Sequence, residues 1–170
     1  MARVIRGRAW VLGDNISTDH IISGKYKFAK INRLEDMLPY VLEEVIPGFY
    51  KKLRPGDVIV AGRGFGYGSS REHAPRLLKL AGVGAVLAKS FHRIFYRNSI
   101  NIGLPVIVVR KLPDVTRQGD KVEVDLEAGV ARNLTRGVEE RFQPPPARLL
   151  EILEAGGIVE YIRKTGRLPW

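Results

Sequence analysis

The chain has 170 residues, of which 45% are hydrophobic, so it can bury one core as a single domain or as one domain with an appendage. It contains no cysteine, which excludes disulfides and any thiolate metal or iron–sulfur site built from this chain alone. The net charge of +10 is spread along the chain and mixed with acidic residues, which favours an acidic small molecule or acidic protein over nucleic acid.

No apolar run approaches the roughly 20 residues that a membrane span needs, and the N-terminus lacks the apolar segment of a signal peptide. We therefore expect a cytoplasmic protein without membrane contact. The three histidines, His20, His73 and His92, do not have metal-ligand spacing, so no metal site is predicted.

The first part of the chain mixes strand, loop and helix patterns. A strand is predicted over residues 2–12, followed by a polar loop over 13–20 and a basic and aromatic loop over 23–30. Apolar residues at helical spacing predict a helix over 34–45, and a short helix over 48–53 precedes the next turn.

The middle of the chain alternates buried strands with helices. The predicted elements are a strand over 57–61, a helix over 71–81, a strand over 85–88, a helix over 91–98 capped by Ser90, and a strand over 105–109. This β-α-β-α-β order favours a parallel sheet with crossover helices.

Beyond residue 112 the pattern is typical of short antiparallel strands. Strands are predicted over 121–126, 129–130 and 138–142, followed by helices over 147–155 and up to Lys164. We predict one α/β domain over residues 1–170, with a parallel sheet core, crossover helices and a β-rich appendage.

Four glycines at alternating positions, Gly62, Gly64, Gly66 and Gly68, lie between a predicted strand and a predicted helix. Such glycines allow positive φ and let another molecule approach the backbone closely. We expect them to serve ligand approach rather than packing within the chain. The residues that follow the glycines supply two hydroxyls, a guanidinium, a carboxylate and an imidazole. A strand–turn–helix segment of this kind is typical of an anion site.

Three well-known loop motifs do not fit this stretch. The glycine spacing differs from the dinucleotide fingerprint, no lysine precedes the hydroxyl residues as in a P-loop, and Arg71 and Glu72 break the serine-hydrolase elbow.

A purely structural interpretation remains open beside the anion site. Ser69 and Glu72 have the spacing of a capping box, in which Ser69 caps the helix and Glu72 reaches back. That interpretation leaves Arg71 unexplained, because the helix dipole disfavours a cation in the first turn. In an anion site, a neighbouring cation would lower the pKa of the Ser69 hydroxyl, which suits an alkoxide base. His73 could face the same site or simply lie on the surface.

Three stretches of the chain carry a family resemblance. Gly66–Ala74 resembles the active-site signature of the swivelling domain of the aconitase superfamily, Gly13–Ile21 is similar to its N-terminal motif, and Lys89–Asn98 with Gly103–Pro105 is similar to its third conserved block. A free-standing chain of this length resembles the small subunits of isopropylmalate dehydratase and of archaeal-type homoaconitase. The resemblance implies a swivelling-type β/β/α fold.

The resemblance also implies an activity and a partner. Such enzymes are hydro-lyases that move a hydroxyl between neighbouring carbons of a di- or tricarboxylic acid by dehydration and rehydration. A 4Fe–4S cluster on three cysteines of a large subunit binds the hydroxyl, so this chain would bind no cofactor itself. The expected partner is a cysteine-bearing large subunit, and the chain alone would be inactive.

The family's site residues carry over by position. Ser69 matches the serine alkoxide base, and Ser70 and Arg71 match groups that hold a substrate carboxylate. Thr18 and Asp19 match residues of an active-site loop, and His20 is a further candidate in the same loop.

Substrate choice depends on the loop Tyr26–Ala29, which matches neither known family variant. Phe28, where an arginine could lie, favours an apolar side chain and therefore isopropylmalate, in leucine biosynthesis. Lys25, Lys27 and Lys30 could hold a third carboxylate, which keeps a homoaconitase-type tricarboxylate open. A non-catalytic anion-binding regulatory domain is the rival from another class.

Overall fold

The structure is a computed structural model that describes residues 3–28 and 33–170. Its strands are β1 Val4–Val11, β2 Val58–Ala61, β3 Ala85–Ala88, β4 Val106–Val108, β5 Lys121–Asp125, β6 Val130–Asn133 and β7 Val138–Arg141. Its helices are α1 Thr18–Ile21, α2 Lys25–Phe28, a 3-10 helix Leu34–Tyr40, α3 Phe49–Lys52, α4 His73–Ala81, α5 Arg93–Asn101, α6 Leu112–Val115, α7 Ala147–Ala155 and α8 Ile158–Thr165. No helix in the described part of the chain is long and apolar enough to cross a membrane.

All seven strands form one sheet in the order β4-β3-β2-β1-β5-β6-β7. Strand β1 joins its two halves, because it pairs in parallel with β2, opposing Ala9 to Val58, and antiparallel with β5, opposing Val4 to Asp125. Strands β2, β3 and β4 continue in parallel, with α4 and α5 as crossovers. The predicted α/β fold with a parallel core is therefore confirmed, and the β-rich part extends the same sheet rather than hanging from it.

Both faces of the parallel strands are covered. In β2, Val58 and Val60 belong to one apolar cluster, while Ile59 and Ala61 belong to a second cluster on the other face. All four residues are fully buried. Burial on both faces explains why these strands are continuously apolar, whereas β5 alternates.

The predicted helix over 34–45 is wrong. A 3-10 helix ends at Tyr40 instead, and the chain then turns, with Leu42 at a φ of 53°. Pro39 lacks an N–H and disfavours helical backbone at the residue before it, which stops an α-helix here. Leu42 is fully buried. The apolar spacing therefore reflects residues that are buried in a turn rather than residues on one face of a helix.

Three short helices were not predicted. Helices α1 and α2 lie in stretches expected to be loops, and α6 follows β4. Each spans only four residues, which is too few for a hydrophobic periodicity to reveal a helix.

Candidate active site

The segments that follow β1, β2 and β3 meet at one edge of the sheet, since parallel strands bring their carboxyl ends together. Backbone hydrogen bonds join the three segments. Gly62 N donates to Gly13 O at 3.1 Å, and Lys89 N donates to Gly62 O at 3.0 Å. Thr18 N donates to Tyr67 O at 2.8 Å, which ties the start of α1 to the glycine-rich stretch.

The glycines of that stretch are packed against other parts of the same chain. A Cβ on Gly62 would lie 1.8 Å from Asp14 Oδ1, and one on Gly64 would lie 2.6 Å from Asn15 Oδ1. A Cβ on Gly66 would lie 2.2 Å from the Phe95 ring. The expectation that these glycines do not serve packing is therefore wrong, because they admit the loop after β1 and the side of α5.

Ser90 does not cap a helix as predicted. Helix α5 begins at Arg93, and the preceding His92 makes no side-chain cap bond. The Ser90 hydroxyl instead accepts a hydrogen bond from Gly64 N at 2.8 Å. The amide of Gly64, which has a φ of 69° and lies outside the strands, is satisfied by this hydroxyl.

The capping box at Ser69 and Glu72 is not formed. Helix α4 begins at His73, so Arg71 lies before the first turn, and Glu72 occupies the cap position without a side-chain bond. Glu72 instead pairs with Arg76 at 3.8 Å. The argument that placed Ser69 and Arg71 at a positive helix end is thereby corrected.

Ser69 is held by its neighbours in a different way. Its N–H donates to Thr18 Oγ1 at 3.0 Å, and its own hydroxyl accepts from Arg71 N at 3.2 Å. Thr18 is only 5% exposed, whereas Ser69 is half-buried and Arg71 exposed. Thr18 therefore contacts the site through the backbone of Ser69, and Ser69 itself is only partly covered.

The loop that contains α1 has a capping box that was not predicted. Ser17 Oγ accepts from His20 N at 3.1 Å, and Ser17 N donates to His20 Nδ1 at 2.9 Å. The second bond requires a lone pair on Nδ1, so Nε2 carries the proton in the neutral ring. Asp19 and His20 are both exposed. The Ser-x-x-His spacing could have revealed this arrangement.

Several guanidinium groups without an acidic partner among the described residues lie at the site end of the molecule. Arg63, Arg71, Arg93 and Arg97 are exposed and, within residues 3–28 and 33–170, form no ion pair. Unpaired guanidinium groups attract carboxylates and can bind them with two hydrogen bonds. The arrangement suits an acidic small molecule.

The structure describes the remaining candidate residues of the substrate loop only in part. Phe28 closes α2, but its side chain lies outside what the structure describes, and Lys30 lies outside the described residues altogether. Lys25 pairs with Glu44, so it is already neutralised. Among the described residues, no three histidine, aspartate or glutamate side chains come together to hold a metal ion.

Comparisons with known proteins identify the family of the chain. Residues 19–111 match the model of the aconitase C-terminal domain family. The chain is 56% identical to 3-isopropylmalate dehydratase small subunit 1 of Thermotoga maritima, over 98% of this chain and 99% of the relative. It is 51% identical to the methanogen homoaconitase small subunit of Methanothermobacter thermautotrophicus, over 97% of this chain and 94% of the relative.

A solved structure shares the whole fold. The crystal structure of 3-isopropylmalate dehydratase (leuD) from Methanocaldococcus jannaschii is 40% identical, covers 96% of this chain and 95% of its own, and superposes with a TM-score of 0.87. The chain therefore belongs to the aconitase C-terminal domain family, among the small subunits of the 3-isopropylmalate dehydratase type.

Proposed function

We propose that this chain is the small subunit of a hydro-lyase that interconverts 2-isopropylmalate and 3-isopropylmalate by dehydration and rehydration, in leucine biosynthesis. The observation that carries the proposal is the 56% identity to a dehydratase small subunit over nearly the full length of both chains. The cluster of Thr18, Ser69 and Arg71 at one edge of the sheet supports it.

Ser69 is the proposed base. Its oxygen takes the proton from the substrate carbon next to the carbon that loses the hydroxyl, and returns it during rehydration. The Arg71 amide, 3.2 Å from Ser69 Oγ, is aimed at the oxygen that bears the negative charge before proton transfer. The half-buried position of Ser69 leaves its hydroxyl accessible to a substrate.

The substrate carboxylates are proposed to bind at Ser70 and Arg71, both exposed beside Ser69. Asp19 and His20 on α1 are proposed to line the same site, and Thr18 to support it from beneath. Phe28 is proposed to contact the apolar isopropyl group, on the strength of the family resemblance.

The partner is proposed to be a cysteine-bearing large subunit. A 4Fe–4S cluster held by that subunit would act as the Lewis acid for the leaving hydroxyl. This chain has no cysteine to hold such a cluster, so its own contribution is the base and the carboxylate contacts.

Anaerobic reconstitution with a cognate large subunit tests the proposal. We expect turnover of 3-isopropylmalate only when both subunits are present, with a higher kcat/KM than for homoaconitate. Absence of isomerase activity in a mixture whose cluster is intact would refute the proposed function.

A homoaconitase-type small subunit is the second candidate, favoured by the 51% identity to a homoaconitase small subunit. The same assay separates the two, because a preference for homoaconitate would reverse the order of kcat/KM. A regulatory anion binder is the third. It would bind dicarboxylates tightly without the large subunit, which calorimetry on this chain alone would detect.

A further inference from the structure

The third family block, residues 89–98, packs directly on the site loop. Phe65 N donates to Ser90 O at 3.1 Å and His92 N donates to Phe65 O at 2.9 Å, so the two segments have a fixed register. The Phe95 ring lies edge-on to Phe65 at 5.3 Å between centroids. Helix α5 is thus held rigidly beside the residues that precede Ser69.

One side chain of this block reaches the site itself. Asn98, half-buried on α5, donates from Nδ2 to the carbonyl oxygen of Ser70 at 3.0 Å. That carbonyl belongs to the same peptide group as the Arg71 N–H, which donates to Ser69 Oγ at 3.2 Å. A continuous chain of hydrogen bonds therefore runs from Asn98, through one peptide group, to the Ser69 oxygen.

We infer that Asn98 is a positioning residue that acts on Ser69 through the peptide between Ser70 and Arg71. The inference rests on the proposed role of Ser69 as a base. A donor on the carbonyl fixes the plane of the peptide and so aims the Arg71 N–H at Ser69 Oγ. It also polarises the peptide, because hydrogen bonds in a chain strengthen one another.

The consequence concerns the charged form of Ser69. An amide donor stabilises a serine alkoxide more than a neutral hydroxyl. Without Asn98 the peptide can rotate away, and the alkoxide loses part of that stabilisation. Ser69 would then ionise at higher pH, and the turnover rate would fall more than substrate binding does.

The test compares Asn98→Leu and Asn98→Asp with Asn101→Leu and Asn101→Asp in the assembled two-subunit enzyme. Leucine and aspartate resemble asparagine in size but cannot donate to the Ser70 carbonyl. Asn101 is on the same helix and exposed, and its side chain makes no hydrogen bond within the described residues, so it controls for the apolar and charge changes.

We expect both Asn98 variants to lower kcat about tenfold, the effect of a hydrogen bond worth about 1.4 kcal/mol. KM should change less, and the ascending limb of the pH–rate profile should move to higher pH. Hydrogen exchange of the Arg71 amide should accelerate in these variants. The Asn101 variants should match the wild type in all three measurements.

An active wild type whose Asn98 variants keep its pH profile and Arg71 exchange rate would overturn the positioning role alone. An effect limited to thermal stability, or to KM, would overturn it as well. A wild-type assembly without activity would instead refute the proposed function, so the two failures are distinguishable.

Discussion

The two halves of the sheet treat their charged residues differently. In the antiparallel half, arginines and acids are paired across the strands: Arg6 with Glu123 at 2.6 Å, Arg132 with Glu123 at 2.9 Å and with Glu139 at 2.7 Å, and Arg136 with Asp120 at 3.0 Å. At the carboxyl end of the parallel half, four exposed arginines have no such partners among the described residues: Arg63, Arg71, Arg93 and Arg97. Charge pairs therefore link neighbouring segments of the antiparallel half, whereas these four guanidinium groups are left available where a substrate is proposed to bind.

Two glycines, one in each half, make a second contrast. Gly137, in the turn between β6 and β7, has a φ of 68° and open space where a Cβ would lie. Gly66 has a φ of 85° and the Phe95 ring in that space. Gly137 serves only the positive φ of its turn, whereas Gly66 also allows α5 to approach the site loop.

The sharpest way to separate function from fold is Ser69→Ala. Loss of the proposed base should lower kcat of the assembled enzyme by about a thousandfold, within the range for general bases. The free energy of unfolding should change little, since the bond to Thr18 comes from the Ser69 backbone. Steady-state kinetics and urea unfolding measure the two effects, and retained activity would remove Ser69 from the mechanism.

The contrast between glycines is tested by Gly66→Ala against Gly137→Ala. We expect Gly66→Ala to lower the free energy of unfolding by about 4 kcal/mol, because it adds overpacking against Phe95 to the strain of positive φ. Gly137→Ala should lower it by only about 1 kcal/mol, from the strain alone. Urea midpoints compared at equal slope give both values. Equal losses of unfolding free energy would mean that the site loop accommodates a Cβ at position 66 without overpacking against Phe95.

A smaller effect than that of Gly66→Ala is expected for the paired charges. Hydrogen bonds from Arg136 and Asn133 lower the pKa of Asp120 to about 2, from its usual 3.8. Its stabilisation is therefore complete above about pH 4 and is lost as the pH falls towards 2. Asp120→Asn should reduce the free energy of unfolding by roughly 2 kcal/mol at pH 7, because the Arg136 guanidinium loses its carboxylate partner.

Unfolding measured across the acid range checks that prediction. The difference between the wild type and Asp120→Asn should shrink between pH 4 and pH 2. A difference that is constant with pH would show that the loss comes from packing rather than from the charge of Asp120.

The strands were predictable because an apolar run or a strict alternation is a local property of the sequence. The helix expected over 34–45 failed for a reason that is equally local, since Pro39 outweighs the apolar spacing. The purpose of the glycines could not be predicted, because Asp14, Asn15 and Phe95 come close to them only through the order of the strands.

The sequence suggested that Thr18, Ser69 and Arg71 belong to one site, and their roles stay a prediction; the bonds between them could not be predicted. Thr18, Ser69 and Arg71 were expected at one site, and they lie together. The structure adds that Thr18 supports the Ser69 backbone and that Asn98 contacts Ser70. These contacts join residues from α1, the loop after β2 and α5, so no spacing within one motif encodes them.

The packing of the glycine-rich stretch also determines when the site can form during synthesis. Gly62 requires Asp14, which is translated early, but Gly66 requires Phe95, which follows β3. A nascent chain that has not yet released α5 from the ribosome therefore lacks one wall of the loop, however complete its serine and arginine motif. The edge of the sheet that carries the proposed site is therefore complete only once the crossover after β3 has folded back.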